Sequence, residues 1–543
     1  MRAVCQKLRV HVLSWFPARS PRFSQLDFLT VSLLLLFCCT LYGSGQQSAA
    51  AHSDQGLRLA ASADLAGAES ELRAAVALAP QNPEFLANLA TVLAMEKRFD
   101  ESNTVFKEVL KKQPGNVTVR RYLAANLWQL HKYQEAKQNL EIILKQSPQD
   151  RQSRLLLGMV SENMKDYAKA AETLSSVSDE TAQRPESLAA LARSYYHLNR
   201  AAEAQAALAK MSRFPPSSNA LVLGAQIADE AGDFSTEQQM LLSIAPNPEN
   251  QALISYRIAL AQFHAKQFEE SQRTLLRLIQ QNNGNSEIYN LLAWNYQNLG
   301  EGGKAVQTLE QVIEKFRNDE TNYLDLIKIH MAQKALSAAL AAAKKTTLIF
   351  PHSARAFEQR GKVEEKMERF RDAVGSYSQA WHLDRTHPDA LLGLAQAQSA
   401  AALAQDSKTS FEAGIKTFPH DLRFKVQYAA SLLKLAETGD ESAQTHAESL
   451  LQSALAADRS LPAAHSELGN PALRRGRTAE ALEHLEQAEK LAPQSSQVHF
   501  ALANAYRRLG RKDKSSEEME LYQKLSGSAE AEVSPEVASD KAK

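Results

Sequence analysis

The sequence predicts an all-α protein, a row of about fourteen helical hairpins stacked into an α-solenoid. Three observations predict it. Self-similarity runs through the chain at a step of 34 residues. The composition belongs to an ordered, helix-leaning chain, with 44% hydrophobic residues, 7% aromatic residues and 21 glycines. A length of 543 residues also exceeds what one hydrophobic core normally serves, which favours several domains or an array.

The first element, residues 1–45, stands apart from the array. Residues 28–42 read FLTVSLLLLFCCTLY, an apolar run without charge. Arg2, Lys7, Arg9, Arg19, Arg22 and a single acid, Asp27, precede it; Gly43-Ser44-Gly45 follows. A basic start, an apolar middle and a small-residue exit are the parts of a secretory signal, in that order. A membrane-crossing helix needs about 20 apolar residues, more than this run supplies. The expectation is a signal peptide cleaved near Gly45, with an uncleaved inner-membrane anchor as the alternative, since the basic region is long. Either way the remainder is exported, periplasmic or secreted, because the basic flank stays in the cytoplasm.

Charge and cysteine content narrow the function. Lysine plus arginine equals aspartate plus glutamate at 62 each. The basic excess usual in a nucleic-acid binder is missing, so no nucleic-acid partner is expected. Cys5, Cys38 and Cys39 all lie in the leader. Everything after it lacks a thiol for a disulfide, a zinc site or a nucleophile.

The repeat begins at residues 49, 83, 117, 151, 185 and 219, steps 33 residues to 252, and resumes at 286, 320, 354, 388 and 422. A longer unit leads to 462, and the last begins at 496. Position 8 is glycine or alanine in twelve of fourteen units, from Gly56 and Ala90 to Gly469 and Ala503. Allowing a six-residue shift in the longer unit, position 20 is alanine or serine in thirteen, and position 24 is large and apolar in thirteen, including Leu72, Phe106 and Leu485. Small residues let two helices approach closely, and the large one fills the layer between neighbours. Proline closes seven units, Pro80 and Pro493 among them, because it cannot continue a helix. A lone hairpin cannot bury its apolar stripe, so the units must stack. The pattern resembles the tetratricopeptide-repeat family over residues 49 to 525, with Leu468-Gly469, Gly476, Ala481, Leu485, Ala488 and Pro493 carrying it in one unit. The resemblance implies a right-handed superhelix and an exported bacterial scaffold. Repeats 1–6 then occupy 46–251, repeats 7–14 occupy 252–525, and a disordered acidic tail follows at 526–543.

Three units break the pattern. Repeat six places Gln226 and Gln238 where small residues belong, and reads either as a hinge or as a drifted repeat packed normally. Repeat twelve carries a polar insertion near Glu437–His446, expected as a longer loop. Repeat thirteen has Pro471 inside its first helix, which predicts a kink or an early end.

No catalytic domain fits between leader and tail. Asn298-Leu299-Gly300-Glu301-Gly302-Gly303-Lys304-Ala305 superficially suggests a phosphate loop but lacks its first glycine and its serine or threonine, and reads as the turn of repeat eight. The fourteen histidines form no H-E-x-x-H. No enzyme activity, cofactor or metal is therefore expected. Binding remains. In proteins similar to this one, positions 2, 5, 9, 12 and 13 of the first helix line the concave side. Those positions hold Arg121, Trp128, Met159, Arg193, Tyr196, Tyr256, Phe263 and Trp294, an aromatic groove suited to peptide or protein partners. Further along they turn basic, with Lys328, Lys362, Lys366, Arg423, Lys434, Arg474, Arg507 and Arg508. The preferred reading is a non-catalytic scaffold of the bacterial envelope, serving an assembly or export complex. The alternative is an accessory of polysaccharide synthesis or export whose basic half contacts an anionic polymer.

Overall fold

The structure, a computed structural model, describes residues 44–215, 219–245, 250–437 and 439–528. The apolar run at 28–42 and most of the acidic tail lie outside them. Among the described residues there are twenty-nine α-helices and no β-strand. None of these helices is long and apolar enough to cross a membrane. The chain divides into two compact units, one up to Asn247 and one from Pro248.

The helices form fourteen hairpins, and eleven of the fourteen first helices begin on the residue that the periodicity names. The exceptions are Ser44–Ala61, Gln251–His264 and Arg423–Ala436. Local sequence explains the starts. Asn82, Asn116 and Asp150, 34 residues apart, each accept a hydrogen bond from a backbone N–H of the helix they precede. Such caps satisfy donors that the first turn cannot. Pro83, Pro185, Pro388 and Pro462 occupy the opening turn, where a missing N–H costs nothing.

A single backbone device joins the two helices of nearly every hairpin. The first helix ends in a left-handed residue, and the next N–H reaches back five residues, as in Arg98 to Leu93 (3.0 Å), Lys132 to Leu127 (2.8 Å) and Asp166 to Ser161 (2.9 Å). This closure satisfies carbonyls that the helix end leaves open. Glycine is the natural occupant of that conformation and holds it at Gly300, Gly476 and Gly510, yet Lys97, Lys165 and Glu368 adopt φ of 63°, 61° and 58°. A non-glycine residue there costs roughly 1–2 kcal/mol, partly offset by glycine's greater freedom when unfolded. Replacing exposed Lys97, Lys165 and Glu368 together with glycine should therefore raise stability by about 0.5–1 kcal/mol per site. A urea melt showing no gain for the triple variant would contradict this account.

Packing follows the small–large pairing. A Cβ added at Gly56 would meet Leu72 Cγ at 2.7 Å, at Gly158 would meet Leu174 Cγ at 2.5 Å, and at Gly469 would meet Leu485 Cγ at 2.7 Å. Position 8 is thus small because position 24 of the same hairpin fills its space. Where position 20 is serine, its hydroxyl donates to the position 8 carbonyl, from Ser102 to Ala90, Ser271 to Ala259 and Ser407 to Ala395. Hairpin nine, Glu320–Ala332 with Leu336–Ile349, inverts the sizes: Ile327 stands at position 8 and Ala343 at position 24, both fully buried. Volume is conserved across the pair, which is why the exception is tolerated.

The irregular units depart from expectation in instructive ways. In hairpin six, Asn219–Glu230 with Phe234–Leu242, the first helix is one residue short and its left-handed residue is Gly232. The register therefore slips by one. Ala225 and Leu241 take the buried places, Gln226 points to solvent, and Leu242 is 63% exposed. Buried Glu237, rather than Gln238, holds the position normally kept for alanine or serine. The insertion in hairpin twelve is helix rather than loop: Asp440 caps Glu441–Ala457, which runs 17 residues, and alanines and glutamates support it. Helix Pro462–Arg474 continues through Pro471 instead of ending early, with Arg475 N–H still reaching the Pro471 carbonyl at 3.1 Å.

Within each unit, every first helix packs on its own second helix, and first helices of adjacent hairpins also touch, as Arg151–Asn163 does Pro185–His197 and Ala354–Lys366 does Pro388–Ala400. Successive second helices make no comparably close approach. First helices therefore line the tighter, inner side of each stack, and their side chains form its candidate binding face.

Candidate partner-binding face

In the first unit the inner face is built from groups that reach into the next hairpin. Arg121 donates to Ser153 and Gln152 and pairs with Asp150 at 2.8 Å, the residue that caps the following helix. Trp128 donates its indole N–H to Asn163 at 2.7 Å. Arg193 bridges Glu162 at 2.8 Å and Glu230 at 3.5 Å. The Tyr196 hydroxyl donates to Asp233 at 2.8 Å, and Gln205 donates to the same carboxylate. Burial and the adjacent Asp233 push the Tyr196 phenol up. Burial alone would raise Asp233, but hydrogen bonds from Gln205, Tyr196 and Thr236 hold it below its ordinary value. Trp128, Arg193 and Tyr196 remain half-buried, so each is pinned at one end and open to solvent on a side. Met159 is buried, with Ser187 against its sulfur.

The second unit differs from the sequence expectation. Trp294 is 1% exposed and Phe263 5%, so both belong to the core and not to the lining. Phe263 stacks edge-on against Phe268 of its own hairpin at 5.4 Å. Both rings are covered because neighbouring hairpins close over the position, which spacing along one helix does not reveal. Tyr256 stays half-buried; its phenol is pushed up to about 12 by burial and by Glu287 and Asp325.

The basic stretch is largely neutralised in place. Lys362 pairs with Glu358 at 2.6 Å, Arg423 with Asp389 at 2.8 Å and with Asp421, and Arg474 with Glu437. Lys328 lies 3.8 Å from Asp325. Arg508 donates to the Leu473 carbonyl of the preceding hairpin. Lys366 and Lys434 are exposed. Local acids thus break up what reads in sequence as a continuous basic stripe, and the field of the face is mixed.

Buried acids are what sequence reasoning missed. Glu162, Asp325, Glu358 and Glu364 are all below 8% exposed on first helices. Asp325 is pushed up to about 6 by burial, against the pull of Lys328. Nothing in the residue pattern marks them, since acids are common on solvated helix surfaces. Glu301 to Gly303, by contrast, proves an ordinary hairpin turn, with helix Gly302–Lys315 beginning inside it.

Within each unit the geometry is that of a row of interlocked hairpins presenting an inner face. Models of the tetratricopeptide repeat match residues 53–117, 93–160, 162–227 and 472–527. A model described as the C-terminal ARM domain of tetratricopeptide repeat protein 21 matches residues 236–389. The chain belongs to the tetratricopeptide-repeat proteins. Repeats of this family build surfaces for protein interaction, and the tetratricopeptide array here supplies two such faces, one per compact unit. No curated protein matches the sequence. Among solved structures, yeast Tom70 is 16% identical, covering 90% of this chain and 94% of that one at a TM-score of 0.41. The Cut9–Hcn1 hetero-tetramer of the APC/C is 14% identical, covering 94% and 99% at 0.34. Naa15/Naa10 bound to HypK-THB is 13% identical, covering 90% and 98% at 0.32.

Proposed function

We propose that this tetratricopeptide-repeat protein is a non-catalytic scaffold of the bacterial cell envelope, exported or anchored through residues 28–42, that holds peptide or protein partners of an assembly or export complex. The observation that carries the binding half of this reading is the state of Trp128 and Tyr196. Each ring is held by a hydrogen bond to the following hairpin while keeping a solvent-facing side. An aromatic already fixed in place loses little freedom when a partner covers it, which is the property of an interface anchor. Arg193, fixed between two carboxylates, adds a directional group beside them. The envelope half rests on the basic, apolar and small-residue order of residues 1–45. An anionic polymer is the poorer fit, because Lys362, Arg423 and Arg474 already have carboxylate partners.

Affinity capture from native envelopes tests the reading. Trp128→Ala with Tyr196→Ala should recover specific partners at least tenfold less well than the wild type, while Lys366→Glu with Lys434→Glu changes the set little. Far-ultraviolet circular dichroism should show the array intact in both. Equal recovery of the same proteins by the aromatic variant would remove the proposed face. Fractionation that leaves the full-length protein in the cytoplasm would remove the envelope assignment alone.

A further inference from the structure

Position 4 of the first helix recurs as a histidine in hairpins one, thirteen and fourteen, at His52, His465 and His499. In hairpin one, His52 Nδ1 faces Glu71 at 2.6 Å, a two-member contact on the second helix of the same hairpin. Hairpin fourteen, Ser496–Arg508 with Lys512–Ser528, repeats that contact between His499 Nδ1 and Glu518 at 2.6 Å and adds a third group. Glu489, from the second helix of hairpin thirteen, brings a carboxylate into the cluster, so that one ligand atom from each of the three residues lies within 4.8 Å of the others. This is the one such group of three among the described residues.

The surroundings are those of a built site. His499 is 2% exposed, and its Nε2–H donates to the Pro493 carbonyl at 2.8 Å. That bond orients the ring and turns Nδ1 toward Glu518 at 2.6 Å, where a cation would take the place of the proton the two groups share. A backbone carbonyl holding the distal N–H is the usual outer support of a metal-ligating histidine. Glu518 is 12% exposed at its side chain, so the pocket is shielded without being sealed. One imidazole nitrogen and two carboxylate oxygens form the set that suits zinc and its neighbours in the first transition row, whereas magnesium and calcium prefer all-oxygen shells.

The geometry points to Glu489, His499 and Glu518 as a binding site for a divalent cation of the zinc class, which staples the last hairpin to the one before it. The final helix has need of such a staple. None of its described residues up to Ser526 is fully buried, and its contacts include Ser515 on the Ala503 carbonyl at 2.8 Å, Lys514 over the Tyr506 ring at 5.2 Å, Tyr522 against Phe500, and the Glu518 contact itself. A ligand spanning two hairpins adds order to a helix whose own side chains bury little.

Zinc titrated into the full-length protein, with a chromophoric chelator as competitor, tests this. One equivalent should bind saturably, hydrogen exchange across 512–528 should slow at least tenfold, and an excess of magnesium should not displace it. Glu489→Gln and His499→Gln should each weaken binding at least tenfold. Glu489 lies on a half-exposed helix face, so its substitution tests the site without disturbing the core. The neighbouring His465–His484 pair, with Nδ1 atoms 3.2 Å apart, is the internal competitor. His484→Gln should leave the affinity unchanged. Failure to bind zinc, retention of full affinity by Glu489→Gln, or loss of binding only in His484→Gln would each overturn the assignment.

Discussion

Truncating Tyr377 to alanine should destabilise the second unit by roughly 4–5 kcal/mol, at the upper end of what buried aromatic truncations cost. The ring is 2% exposed and lies between two glycines: a Cβ at Gly361 would meet it at 2.9 Å, and one at Gly393 would meet it at 2.6 Å. Its hydroxyl donates to Glu365 at 3.0 Å. Cavities cost least where neighbours relax inward, and two glycines on helix backbones have no side chains to move. The damage should stay local, because an array is stabilised between nearest neighbours. Hydrogen exchange should rise first in helices Phe370–Leu383 and Pro388–Ala400 and little in hairpins thirteen and fourteen. The size rule makes a second claim. Gly361→Ala alone should destabilise by about 1–3 kcal/mol through overpacking, and combining it with Tyr377→Leu should recover part of that loss relative to additivity. Hairpin nine, where Ile327 faces Ala343, is the natural precedent. Strict additivity of the two changes would mean that the pairing of positions 8 and 24 has been misread.

The second large effect is a pH dependence. Asp325 sits on an inner helix at 5% exposure, and burial lifts its carboxyl from 3.8 to about 6 despite Lys328 nearby. A folded-state value above the unfolded one means that the native protein binds this proton more tightly. Below pH 4 both states are protonated and the group takes nothing from stability. As pH rises from 4 through 6, the unfolded state releases this proton while the folded state still holds it, and stability falls by up to roughly 3 kcal/mol. Asp325→Asn removes the charge without changing shape. Relative to the wild type, the variant should gain stability as pH rises from 4, with most of the gain appearing between pH 4 and pH 6 and little added above pH 7. Its gain at neutral pH should be smaller than the full amount, since Lys328 loses a neighbour 3.8 Å away. Urea midpoints measured at pH 4.5, 5.5, 6.5 and 7.5 decide it. Parallel curves for the two proteins would show that Asp325 does not titrate in this range.

Much of the architecture was legible before any coordinate. The hairpin starts, the small residue facing a large one, and the turn of hairpin eight all follow from residues at set separations, because contacts within a hairpin and with the next one are contacts at constant offset. The misreadings have physical causes of their own. Gln226 looked misplaced because the periodicity was counted from the start of hairpin six, while the missing residue lies before Gly232 and shifts everything after it. The insertion near Glu437 looked like loop because it is polar, yet an aspartate cap and helix-forming residues made it extra turns of helix. At the inner face, spacing selected the side of the helix but not the depth of each side chain. Trp294 and Phe263 share that side with Trp128 and Tyr196, and only the latter two keep a face open to solvent.

The sequence by itself determined the all-α hairpin array and its period, since each unit must bury its stripe against the next and the residues that do so recur at a constant interval. Tertiary structure alone decided which inner side chains are accessible, which cations already have anions, and which acids are sealed from water. Those properties depend on how closely consecutive hairpins approach at each step, and that distance is set by the summed side-chain volumes of two neighbours rather than by the pattern within either one.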